Sequence, residues 1–182
     1  DKWASEITSL AEIANSEPQL AYTAYTVGVS KRWSYLMRTT PGISDQLGPI
    51  EDSILQKLIP SMTGQPVINE RLRSVFSLPA RLGGLGIQIP VDTSDSEYYF
   101  SKLMTENLSA AVLKQEDTFT VDDVKNSENK LIVRRVKNDQ HQRKIDEIKL
   151  KSTPEEMRTL DLIAEKGASS WLTCLPLESL NF

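Results

Sequence analysis

Trp3-Ala4-Ser5-Glu6-Ile7-Thr8-Ser9-Leu10-Ala11-Glu12-Ile13-Ala14 sets Trp3, Ile7, Leu10, Ala11 and Ala14 three and four residues apart. Residues at that spacing share one side of a helix that turns every 3.6 residues or about that, so the stretch predicts an amphipathic helix with one buried face. The same period returns along the chain and decides the fold class, which is all-α.

Working outward, Glu17-Pro18 places proline in the first turn of a second helix, expected from Pro18 to Arg38. Leu20, Ala21, Ala24, Val27, Lys31 and Tyr35 would share its face. Thr39-Thr40-Pro41-Gly42 closes it, and Ser44 with Asp45 can cap a third helix through Leu47, Ile50, Ile54, Leu55 and Leu58, ended by Pro60 and Gly64. A short fourth helix is expected over Asn69 to Phe76, with Leu72, Val75 and Phe76 inward.

Leu78-Pro79-Ala80-Arg81-Leu82-Gly83-Gly84-Leu85-Gly86-Ile87 breaks the period, because glycines free the backbone and remove side chains, and it reads as a loop or short extended stretch. Asp92 to Ser96 then supplies caps for a helix from Asp95 to Gln115, with Tyr99, Leu103, Leu108, Ala111 and Val112 as core. From Thr120 to Lys151 dense charge of both signs suggests a long solvent-exposed helix or a partly flexible linker. Thr153-Pro154-Glu155-Glu156 has the residues of a capping box, opening a helix that carries Met157, Leu160 and Ile163 inward and stops near Gly167. Gly167 to Leu177 is strongly apolar and reads as truncated. The expected architecture is a multi-helix bundle of about six or seven helices with one glycine-rich loop and a long charged helix or linker. Its segments are 1–115, 116–152 and 153–182.

Composition narrows the function. At 39% hydrophobic and 25% charged residues the chain can build a core, and no apolar run approaches a membrane span. Without a secretory leader it reads as intracellular, in nucleus or cytoplasm, with no membrane partner. One cysteine, Cys174, and one histidine, His141, give neither an internal disulfide nor a zinc set. Asp122-Asp123 reads as a helix cap and Glu51-Asp52 as a solvated face, so neither is expected to hold metal. His141 reads as a surface residue and Cys174 as a buried inert thiol, which leaves no nucleophile and base pair, no cofactor and no small-molecule substrate. The glycine loop lacks the Lys-Ser/Thr ending of a phosphate-binding loop. It is either a turn where helices approach closely or bare backbone that approaches a nucleic acid or another domain.

The net charge of -4 argues against a domain that coats nucleic acid by bulk charge, so contact must come from local patches. Lys31-Arg32-Trp33 with Tyr35 and Arg38 mixes cations and aromatics as single-strand-binding surfaces do, or as one exposed helix side beside a core tryptophan. Arg134-Arg135-Val136-Lys137 with Arg143-Lys144 is a second basic cluster, diluted by Asp139, Asp146 and Glu147.

Three stretches together resemble a known family region: Trp33-Ser34-Tyr35-Leu36-Met37-Arg38-Thr39, Leu78 to Ile87, and Glu165-Lys166-Gly167-Ala168-Ser169-Ser170-Trp171-Leu172. They resemble the region that follows the reverse transcriptase domain in retrotransposon polyproteins of the non-long-terminal-repeat type. The resemblance spans nearly the whole chain, and Leu-Pro-x-Arg-x-Gly-Gly-Leu-Gly is its most specific part. It implies that the polymerase core with its catalytic aspartates lies upstream, and that a cysteine/histidine zinc segment and an endonuclease-like region lie downstream. By that analogy residues 1 to 115 correspond to thumb and post-thumb helices. They would form a non-catalytic accessory part of an RNA-directed DNA polymerase that grips an RNA/DNA primer-template by its backbone, beside the upstream polymerase core. Nucleic-acid contact is then expected from Lys31, Arg32, Trp33, Arg38 and Arg81, with Gly83 and Gly84 shaping the loop. The alternative is a helical protein-interaction or structural module derived from a mobile element, without nucleic-acid binding.

Overall fold

A computed structural model describes residues 2–115, 120 and 128–173, and the readings of Asp122-Asp123 and Cys174 fall outside them. Among the described residues every regular element is helical, so the fold is all-α. Helix α1 (Lys2–Ala14) buries Ile7, Leu10, Ala11 and Ala14, as the opening spacing requires, and packs a half-buried Trp3 on the same core.

Helix α2 (Pro18–Ala24) runs into a π turn over Tyr25–Val29 and continues as α3 (Lys31–Thr39). The expected face is corrected here: Val27 and Tyr35 are 72% and 70% exposed and Leu20 also faces out. Ala21, Tyr25, Trp33 and Met37 are buried instead, and Val29 packs against them. In a regular α-helix positions four apart drift around the axis, because each residue advances by about 100°. The wider π turn winds that drift back and keeps the series Ala21, Tyr25, Val29, Trp33, Met37 on one side.

The next helical run repeats the device. A 3₁₀ turn (Ser44–Leu47) leads into α4 (Gly48–Ser53), a π turn (Ile54–Leu58) and α5 (Ile59–Thr63), with Leu47, Ile50, Ile54 and Leu58 buried as expected. Neither Ser44 nor Asp45 caps it; the Ser44 hydroxyl donates to the Val91 carbonyl at 2.5 Å, tying this turn to a later helix. Pro60 does not end the run either, since it sits in the first turn of α5 and Gly64, at φ 68°, ends it. A proline normally clashes with the carbonyl four residues back, and the π turn before Pro60 has already left that four-residue register.

Helix α6 (Glu70–Ser77) is capped by Asn69, whose Oδ1 accepts from the Leu72 N–H at 2.8 Å. Its Arg73 is buried and spends every nitrogen. Nε and Nη2 donate to the Glu51 carboxylate at 2.6 and 2.7 Å, Nη1 to the Ile87 carbonyl at 2.7 Å, and Nη2 also to Gln88 at 3.0 Å. Glu51 is therefore the half-buried partner of a buried cation rather than part of a solvated face.

The glycine-rich segment folds back on α6 as a loop containing a 3₁₀ turn (Ala80–Leu82). The Leu85 and Ile87 N–H groups both donate to the Phe76 carbonyl, at 3.2 and 3.0 Å, and Gly86 donates to Leu78 at 2.8 Å. These bonds occupy carbonyls that a helix end leaves free. Helix α7 (Pro90–Lys114) then starts at Pro90, five residues before the expected Asp95. Thr93 and Ser96 do not cap it, because their hydroxyls bond back to the Ile89 and Thr93 carbonyls within the chain's own turns. Its buried positions include Ser94, Phe100 and Ala111, while Tyr99, Leu108 and Val112 are exposed, because the side that meets α3 and α4 is set by packing.

Helix α8 (Glu128–Leu150) is the expected long charged helix, with Ile148 its one buried residue among those described. Helix α9 (Pro154–Ile163) opens with the expected capping box: Thr153 Oγ1 accepts from the Glu156 N–H at 3.3 Å, and Glu156 Oε2 accepts from the Thr153 N–H at 2.8 Å. Leu160 is buried and Met157 half-buried, but Ile163 is exposed. Counting each π-interrupted run once gives seven helices among the described residues. One core joins α1 to α5 with Ile87; a second, of Val75, Leu78, Ile148 and Leu160, draws on α6, α8 and α9. No described helix is long and apolar enough to cross a membrane.

Candidate functional site

Helices α7 and α8 run antiparallel: Asn129 Nδ2 donates to the Leu103 carbonyl at 2.8 Å, and further along Lys137 Nζ donates to Glu97 at 2.7 Å. Along their seam lies a groove of about 870 Å³. Helix α7 contributes Glu97, Phe100, Ser101, Met104 and Thr105. Helix α8 contributes Lys130, Val133, Arg134, Lys137, Asn138 and His141. Each set follows a three- and four-residue spacing, so each is a single stripe on its helix. Arg38, in the last turn of α3, and Arg81, in the glycine-rich loop, close the third side.

The groove is strongly asymmetric in charge. Arg38, Arg81, Lys130, Arg134 and Lys137 line it against one carboxylate, Glu97. Glu97 takes Lys137 as its close partner and lies 3.6 Å from Arg38 Nε. Lys137 Nζ also sits 5.0 Å from the centre of the Phe100 ring, whose π face attracts it. Arg81 donates to Asn138 Oδ1 at 3.4 Å, while Arg81, Lys130 and Arg134 form no ion pair with a described residue.

His141 is corrected from a surface residue to a half-buried wall of this groove, with Nδ1 closed off and without a hydrogen-bond partner among the described residues. Burial lowers its pKa below the ordinary histidine range, and Arg81, Lys137 and Lys144 lower it further. Burial likewise lowers the Lys144 pKa, with Asp92 opposing.

Of the residues expected to touch nucleic acid, Arg38 and Arg81 meet here, although they lie far apart in sequence. The others do not join them. Lys31 is exposed on the edge of a separate cavity beside Tyr22 and Gln88, and Arg32 donates to Glu6 at 2.6 Å. Trp33 is corrected outright as a base-stacking residue: it is 3% exposed, its ring centre 6.3 Å from that of Trp3 and 6.2 Å from that of Tyr25. Gly83 and Gly84 face inward as well. A Cβ on Gly83 would lie 2.8 Å from an Ile163 side-chain carbon, and one on Gly84 would fall on the Leu78 carbonyl, so these glycines permit close packing. Sequence reasoning missed Lys130, Glu97 and Phe100. The signal for Lys130 was its place in the series with Arg134, Lys137 and His141 at four-, three- and four-residue steps.

The groove offers fixed positive charge and N–H donors above apolar side chains, which is chemistry for holding a polyanion. Among the described residues no three of His, Cys, Asp and Glu come together as metal ligands would. The chain matches no protein-family model, and searches of curated proteins and of solved structures found no significant match.

Proposed function

We propose that this chain is a non-catalytic accessory part of a retrotransposon reverse transcriptase polyprotein, and that its α7/α8 groove holds primer-template nucleic acid by the backbone. The observation that carries the reading is the gathering of five cations from three elements around one carboxylate from a fourth, in a chain whose net charge is -4. Phosphate contacts need positioned cations rather than a reacting group, and this site is built that way. In that role the module sits beside a polymerase core inside the cell.

Binding of an RNA/DNA primer-template to the chain, followed by fluorescence across a salt series, tests the reading. Replacing Arg81 and Arg134 with alanine should weaken binding irrespective of sequence and make its salt dependence less steep, by about 0.9 in slope for each phosphate no longer neutralised. The Lys31→Ala change, outside the groove, should do neither. Equal binding by the groove variant and the unmodified chain would sink the proposal.

A second reading has its own observation. Leu108, Val112 and Leu113 are exposed toward the end of α7, an apolar surface that suits a protein-docking module. No nucleic-acid binding at low salt, together with association through that surface, would favour it.

A further inference from the structure

Resting on that reading, we infer that the groove takes a single strand of nucleic acid rather than a paired duplex. Three features of the site lead there.

The first is size. The groove runs between two helices in contact, whose axes at such a seam lie about 8–10 Å apart, and it encloses about 870 Å³. That is space for a small molecule or a few linked units, whereas a duplex is broader than the α-helix that its own major groove admits. A duplex could only rest across the rim.

The second is the floor. Beside the cations the groove is lined by Met104 and Val133, both half-buried, and by Phe100, which is buried with Lys137 over its ring. A duplex presents phosphates and sugars outward and keeps its bases stacked inside, so it has nothing to place on an apolar floor. A single strand has unstacked bases, and apolar or aromatic surface below a cationic rim is how strands are held without sequence preference.

The third is the line of charge. Lys130, Arg134 and Lys137 succeed one another along one side of α8, and His141 extends the stripe toward Arg81. Such a row follows one phosphodiester chain along its length. Arg81 reaches α8 itself, donating to Asn138 at 3.4 Å, and Arg38 stands near Glu97, so both add their charge at the side of that row, and a strand laid along it would meet their cations as well as those of α8.

The test compares two labelled probes on the complete chain by fluorescence anisotropy: a short oligouridylate, and a blunt RNA/DNA hybrid of equal length. The single strand should bind at least about tenfold more tightly. With about four net cationic charges engaged, its affinity should fall with a log–log salt slope near -3, from about 0.7 per phosphate. Lys130→Ala with Arg134→Ala should reduce that slope to about -1.5. Met104→Gln should weaken the strand several-fold and leave the hybrid unaffected. His141 is the chain's sole histidine, so its imidazole NMR signals report this groove without ambiguity, and they should move with oligouridylate. Equal or tighter binding of the hybrid, still sensitive to Arg134, overturns the strand inference and leaves the groove reading standing. Binding that moves neither His141 nor responds to Arg134 overturns both.

Discussion

Arg73 shows how much one side chain can fix. Its buried guanidinium joins α6 to the half-buried Glu51 carboxylate on α4 and to the carbonyls that lead into α7. Removing one partner of a buried pair leaves the other charge uncompensated, so Arg73→Ala should lower stability by about 3–5 kcal/mol, measured by urea unfolding. Arg73→Lys should recover only part of that, because an ammonium cannot reproduce the two-pronged contact. None of this was legible from the sequence, where Glu51 beside Asp52 has the look of a solvated face and nothing marks its partner 22 residues on. Gly84 was legible as special but not as to why. Its Cβ would fall 2.0 Å from the Leu78 carbonyl oxygen, whereas Gly83, held at φ 80° where a side chain is strained, would set its Cβ 2.8 Å from an Ile163 side-chain end and 3.2 Å from the Leu160 carbonyl oxygen. Gly84→Ala should therefore cost more than Gly83→Ala, and thermal unfolding of the two variants would rank them. His141 adds a pH effect whose sign follows from its lowered pKa. Both states are neutral above the ordinary value of 6.5, and as pH falls below it the unfolded chain takes up the proton first, which destabilises the fold. His141→Gln should flatten that acid-side loss; an unchanged profile would contradict the assignment.

At the scale of elements, the parts with local causes were readable. Proline at the start of α2 and the Thr153 box act within a turn, and their residues announce them, whereas Ser44, Asp45 and the Asp92 to Ser96 stretch read as caps in the sequence and do not cap. Thr153→Ala should cost about 1 kcal/mol and increase hydrogen exchange at the start of α9. The Glu156 carboxyl, held below its usual range first by the Thr153 N–H and then by Arg71, supports this end above the ordinary carboxylate range and loses hold as pH falls through its lowered value. The π turns were not readable, since Tyr25–Val29 and Ile54–Leu58 have the residues of ordinary helix and are selected by what lies on either side. A face projected from the regular period therefore places Val27 and Tyr35 inside, while the wider turn brings Trp33 and Met37 there. The long α7 errs similarly, with Phe100 inward in place of its neighbour Tyr99.

Across the whole molecule, helices from distant parts of the sequence meet in two cores of unequal size. The smaller one depends on Leu160 to fasten α9 to α6 and α8. Leu160→Ala should cost about 2–5 kcal/mol and raise hydrogen exchange in α8 and α9, with α1 to α5 still protected; uniform loss of protection would show that the cores open together. The candidate site is a product of this scale too. Its cations were visible as separate clusters, but only the antiparallel seam makes them one surface, and the same packing withdraws Trp33 into the core. Glu97 gives that surface its last property. Because it already holds Lys137 and stands near Arg38, the groove carries its own counterion. If the groove binds as proposed, a phosphate arriving at Lys137 would trade places with a carboxylate that stays tethered alongside, whereas Arg81, Lys130 and Arg134 have no such counterion among the described residues to displace. At that one position the groove would exchange one counterion for another and not bind at a bare charge, so its salt dependence there would be shallower than at Lys130 or Arg134.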